Sequence, residues 1–141
     1  MTKDKRDLLD VLKAELQFLQ KGGYRQAARA DWRPQFIFQD SPTCLNSDAT
    51  QPSKPCSDCI LTLLTPEDRR DKKIPCRYIP LSENGETIDS FYRTGTQEEL
   101  EVAVARWLKS TITRLEREKL EEIRDSEHPE IHVRARFVPA R

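Results

Sequence analysis

The chain has 141 residues, with 24 basic and 24 acidic side chains, a formal net charge of zero, and 36% hydrophobic against 34% charged residues. This length suits one domain, and the thin apolar content lies just on the folded side of disorder, where a metal staple often supplements a small core. The balanced charge argues against a duplex-binding module or a polybasic membrane anchor. The opening MTKDKRDLLD lacks the apolar stretch of a secretory signal, and no apolar run approaches a membrane span, so a soluble cytoplasmic protein is expected.

Residues 4–21 read as an amphipathic helix, with Leu8, Leu12, Leu16 and Leu19 at helical spacing and Gly22-Gly23 as the stop. Residues 24–34 form a polar connector containing Trp32 and Arg33, residue types that anchor interfaces. Residues 35–39 (QFIFQ) read as a short strand. Residues 45–55 are an exposed loop, and the apolar run 60–64 has no clear period. Thr65-Pro66-Glu67-Asp68 resembles a helix start, with Pro75 limiting that helix to about residue 73.

Residues 77–81 and 87–92 flank Asn84-Gly85, a strong turn signal, and read as a hairpin. Thr96-Gln97-Glu98-Glu99 is a capping box that opens a long helix. Its buried stripe is Leu100, Val104, Trp107, Leu108, Ile112 and Leu115, followed by a charged extension supported by Arg114–Glu118 and Arg117–Glu121. Residues 131–138 (IHVRARFV) alternate with period two and read as a strand, with Arg134 and Arg136 on the face of His132.

The chemistry concentrates in Cys44, Cys56, Cys59 and Cys76, spaced C-x11-C-x2-C-x16-C. A reducing compartment favours metal over disulfides for such a set. Cys56-Ser57-Asp58-Cys59 is a tight knuckle able to wrap one ion, and Cys76 follows at a spacing familiar from four-cysteine sites. Cys44 lies well before the knuckle and has no tight partner. Structural zinc is the first reading, because four thiolates complete a tetrahedral shell with no open position. An iron–sulfur cluster is the alternative, although the spacing matches neither familiar ferredoxin run. A Cys56/Cys59 redox pair lacks a surrounding βαβ pattern, and the plain outcome is four unpaired buried thiols.

Other motifs are weaker. Pro55-Cys56-Ser57-Asp58-Cys59 matches half of a zinc-deaminase signature, but no histidine precedes His128 to complete it. His128 and His132 have finger-like spacing, but Pro129 lies between them and they read as surface residues. The run Arg69-Arg70-Asp71-Lys72-Lys73 reads as a solvated face before it reads as a nucleic-acid contact. No nucleophile–base arrangement or phosphate loop is present, so no enzyme chemistry is expected.

The sequence therefore predicts one α+β domain. Residues 1–30 and 96–125 supply two helices, 31–95 a metal-stapled module with a small antiparallel sheet (35–39, 77–81, 87–92), and 126–141 a terminal strand. The expected role is a non-catalytic adaptor or accessory subunit for a protein partner, with Trp32, Arg33, Arg134 and Arg136 as candidate contacts. A redox or electron-transfer protein is the alternative, and a nucleic-acid-binding zinc module ranks third.

Overall fold

The computed structural model describes residues 4–25, 36–48 and 50–127. Three α-helices carry it: α1 (Leu8–Gln20), α2 (Ile88–Thr94) and α3 (Gln97–Glu127). Between α1 and α2, short 3-10 turns occupy Cys56–Asp58, Ile60–Leu64, Glu67–Arg69 and Pro75–Tyr78. The expected sheet is absent: the described residues contain no β-strand, and only Pro80 and Thr87 form an isolated antiparallel bridge. The α+β expectation is corrected to a helical fold with a long irregular segment.

Each missing strand has a local cause. Residues 36–40 turn back on themselves, with the Gln39 amide donating to the Ile37 carbonyl at 2.8 Å and the Asp40 amide to Phe36 at 2.8 Å. Phe38 sits at φ 64°, a left-handed conformation that costs a bulky residue about 1–2 kcal/mol. That cost is offset by burial of its ring, which meets Trp107 edge-on at 6.4 Å. Pro75 opens a 3-10 turn where the second strand was expected to begin. In residues 87–92 the Thr87 side chain accepts from the Ser90 amide while the Ser90 hydroxyl accepts from the Thr87 amide, and this capping box starts α2. The Asn84-Gly85 turn itself is present, with Gly85 at φ 83° and the Leu81 amide donating to Glu86 at 2.7 Å. The expected helix after Thr65 is a single turn, Glu67–Arg69. The terminal strand 131–138 and the candidate contacts Trp32, Arg33, Arg134 and Arg136 lie outside the described residues.

The ends of α1 and α3 are capped. Asp7 accepts from the Asp10 amide to start α1, and Gly22 at φ 76° follows its end. At the start of α3 the Thr96 hydroxyl accepts from the Glu99 amide at 3.1 Å, and the Glu99 carboxylate accepts from the Thr96 amide at 2.8 Å. Leu9, Val11, Leu12 and Leu19 of α1 join Leu100, Val104, Leu108 and Ile112 of α3 in one core. The two helices run antiparallel: Leu8 and Leu9 border Leu115 and Glu122, and Lys13 pairs with Glu116 at 3.0 Å. With 13 residues against 31, α1 spans about 20 Å and α3 about 46 Å. No described helix is long and apolar enough to cross a membrane.

Glu15 sits on the apolar stripe of α1 and is fully buried. Its carboxyl accepts from the Tyr24 hydroxyl, from Ser41 at 2.6 Å and from Thr43 at 2.7 Å. Tyr24 in turn accepts from the Phe38 amide at 2.9 Å, which holds the strained residue. Burial raises the Glu15 carboxyl above its ordinary value, against the lowering effect of the three hydroxyl donors.

Two outcomes follow. Leu12→Ala opens a cavity in the helix interface and should cost about 2–5 kcal/mol, read as a lower denaturant midpoint; a loss under about 1 kcal/mol would contradict the packing. For Glu15, a raised folded value means its contribution is full below the unfolded carboxyl range and declines as pH rises through the folded value. The stability difference between wild type and Glu15→Gln should therefore shift against wild type from about pH 4 towards neutrality. A difference independent of pH would refute that assignment.

Candidate thiol site

Three separate segments bring the cysteines to one place. Cys44 ends a turn in which its amide donates to the Ser41 carbonyl at 3.2 Å. Cys56 begins a 3-10 turn that the Cys59 amide closes onto the Cys56 carbonyl at 3.0 Å. The Thr62 hydroxyl donates to the same Cys56 carbonyl at 2.9 Å. Cys76 lies in the turn opened by Pro75, tied back by the Thr65 hydroxyl donating to the Pro75 carbonyl at 3.0 Å. Prolines and single turns serve here because a knuckle needs abrupt changes of direction that a helix or strand does not supply.

All four cysteines line one cavity of about 250 Å³, walled by Phe38, Leu45, Leu61, Ile74 and Pro75. None is in a disulfide. Burial pushes the Cys76 thiol up to about 12, and the neighbouring Cys59, Cys56 and Cys44 add to that shift. Burial also raises Cys56 and Cys59. At Cys59 a hydrogen bond from the Leu61 amide and the charge of Arg6 act in the opposite direction. Four thiolates cannot share so apolar a space unless positive charge is placed among them.

The expected compact group is not what the structure displays. Among the described residues, no three or more His, Cys, Asp or Glu side chains are gathered to hold a metal ion. A closed tetrahedral shell at a zinc–sulfur distance of about 2.3 Å requires sulfur–sulfur separations of about 3.8 Å. The four thiols border a cavity that eight other residues also line. The metal-binding group expected of Cys44, Cys56, Cys59 and Cys76 is corrected: they line one cavity without forming such a group among the described residues. His128 and His132 lie outside the described residues.

Two polar devices, neither anticipated from the sequence, brace the site. The first is the Glu15 network, which fixes Ser41 and Thr43 immediately before Cys44. Its signal was present: Glu15 falls three residues after Leu12 on the apolar face of α1. The second is a clamp ahead of α1. Arg6 donates to both Asp4 oxygens, with Nη2 to Oδ2 at 2.7 Å, and to the Thr43 carbonyl at 2.6 Å. Its Nη2 also points at Cys59 Sγ, 3.9 Å away. Asp4 accepts from the Ile60 amide at 3.0 Å, and its own amide donates to the Asp58 carbonyl at 2.9 Å. Burial would raise the Asp4 carboxyl, but hydrogen bonds from Arg6 and Ile60 outweigh it and hold the group at about 2. Spacing along the chain carries no sign of these contacts, those to Cys59 and Ile60 joining residues more than 50 positions apart.

Next to Cys76, Arg77 lies over the rings of Phe36 and Tyr92, which meet edge to face, at 4.8 and 5.4 Å from their centroids. Its Nε donates to the Gln39 side chain at 2.8 Å. The basic run does not stand as a free patch either: Arg70 donates to the Thr65 carbonyl at 2.8 Å, and Arg69 and Lys72 lie over the Tyr78 ring.

No known protein family matches the chain, and no curated protein or solved structure gives a significant match.

Thiol environment sets the order of reactivity in metal-free protein. At pH 8 Cys76 should be alkylated at least about tenfold more slowly than Cys56, because its thiolate fraction is far smaller. Mass spectrometry of timed digests reads this directly, and equal rates would contradict the placement of Cys76.

Proposed function

We propose that the chain is a small iron–sulfur protein in which Cys44, Cys56, Cys59 and Cys76 hold one polynuclear cluster. Its role is that of an accessory subunit carrying single electrons for a protein partner. The observation that supports this is the cavity: four thiols from three segments surround a space of about 250 Å³. Four cysteines are the usual ligand set of two-iron and four-iron clusters, and a cluster holds its thiolates farther apart than a single zinc ion does. When bound, the cluster supplies a centre that accepts and releases one electron.

The protein's own residues do the rest. The four thiolates hold the cluster through the three segments that carry them. Phe38, Leu45, Leu61 and Ile74 limit the approach of water. The Leu61 backbone and the Arg6 charge both favour the Cys59 thiolate, and polar groups directed at sulfur tune such centres. A reducing, cytoplasmic compartment is part of this reading, since it keeps the ligands as thiols. Exposed Leu120 and Ile123 in the last turns of α3 support a partner-binding role for that helix.

Protein purified without oxygen should be brown, absorb visible light, and contain iron and acid-labile sulfide in equal amounts. Cys76→Ser should lose most of the colour. A colourless protein with one zinc per chain would overturn the cluster and restore a structural zinc site. A colourless protein with no metal would leave the thiols as plain core residues.

A further inference from the structure

We infer that Asp4 and Arg6 form a strap that gates access to the Cys59 side of the thiol cavity and opens without unfolding the helix pair. The strap does not depend on what the cavity holds, and so extends beyond the cluster reading above.

The strap is fastened to two segments that no regular structure joins. The Asp4 amide donates to the Asp58 carbonyl at 2.9 Å, and the Asp4 carboxylate accepts from the Ile60 amide at 3.0 Å, so the knuckle is held on both sides of Cys59. Arg6 donates to the Thr43 carbonyl at 2.6 Å, next to Cys44, and its Nη2 lies 3.9 Å from the Cys59 sulfur. One side chain thus ties the Cys44 turn to the Cys59 knuckle, and both cysteines line the cavity. Arg6 and Thr43 also line a surface groove along α1 with Val11, Ala14 and Phe18. Moving the guanidinium aside opens a route from that groove to Cys59, which is otherwise buried.

These fastenings can release locally. Asp4, Lys5, Arg6 and Asp7 are all charged and precede the first turn of α1. Lys5 and Asp7 are exposed, and 34% of the Arg6 side chain meets solvent. The strap is therefore held mainly by polar contacts, whereas α1 is held in the core by Leu9, Val11, Leu12 and Leu19. Segments with few buried apolar contacts open at a lower free energy than the whole domain. Asp7 stays with α1, because its side chain accepts from the Asp10 amide at 3.2 Å, so the hinge falls between Arg6 and Asp7. Asp4 and Arg6 secure each other, with Nη2 to Oδ2 at 2.7 Å and 2% of the Asp4 side chain exposed. Losing either partner leaves the other charge without its main contact and releases the strap.

The test is timed alkylation of the full chain, reduced and freed of metal, with iodoacetamide, read cysteine by cysteine by mass spectrometry. Wild type, Asp4→Ala and Arg6→Ala are compared. Both variants should alkylate Cys59 at least about tenfold faster than wild type, with Cys76 changed by less than about twofold. Cys76 is the internal control, since its turn is tied to Thr65 rather than to the strap. The two substitutions change the local charge in opposite directions, so a purely electrostatic effect on the Cys59 thiol would speed one variant and slow the other. Opposite signs, or unchanged Cys59 rates in both variants, would overturn the strap. Equal acceleration of all four cysteines would mark general unfolding and would overturn it as well. Iron content decides the cluster reading separately.

Discussion

The buried carboxyl of Glu15 is the interaction on which the remaining architecture depends. It places a hydrogen-bonding group inside the apolar stripe of α1, where an unsatisfied carboxyl would cost several kcal/mol. Satisfying it draws Ser41 and Thr43 onto the helix and, through Tyr24, fixes the amide of Phe38. The irregular chain therefore leaves the helix pair in one direction, with Phe38 turned inward and Cys44 facing the knuckle. Helix packing supplies most of the apolar burial, but it does not by itself specify a path for a segment that lacks regular hydrogen bonding.

That path explains the division of labour in the molecule. α1 and α3 form a rigid antiparallel pair, and α2 packs against α3. Residues 36–48 and 50–87 have little repeating structure and are held by side-chain hydrogen bonds, prolines and one buried aromatic residue in a left-handed conformation. Such a segment suits a thiol cavity, since ligands from three turns can be set independently. It is also costly in conformational entropy, a cost that the side-chain hydrogen bonds of Glu15 and Arg6 help to offset.

Much of the helical part was legible in the sequence. The period of Leu8, Leu12, Leu16 and Leu19 and the Thr96–Glu99 capping box identify α1 and α3 because both signals are local. The sheet was misread because residues 35–39 and 87–92 have strand-like side chains. In the first, the turn is imposed by Tyr24 and Asp40, and in the second the Thr87–Ser90 cap outweighs β propensity. The expected four-cysteine metal group was a misreading of spacing, because distance along the chain does not report how closely the folded chain gathers the side chains. The Asp4–Arg6 clamp was illegible for the same reason: its partners are brought together only by the completed fold.

The proposed function rests on what the thiol cavity would hold, since one ion and a cluster demand different separations of the same four sulfurs. Metal-edge X-ray absorption on protein isolated under argon distinguishes them most directly. An iron edge, with sulfur neighbours and a second shell of iron, is the expected result. A zinc edge with four sulfurs at about 2.3 Å and no metal neighbour would contradict it.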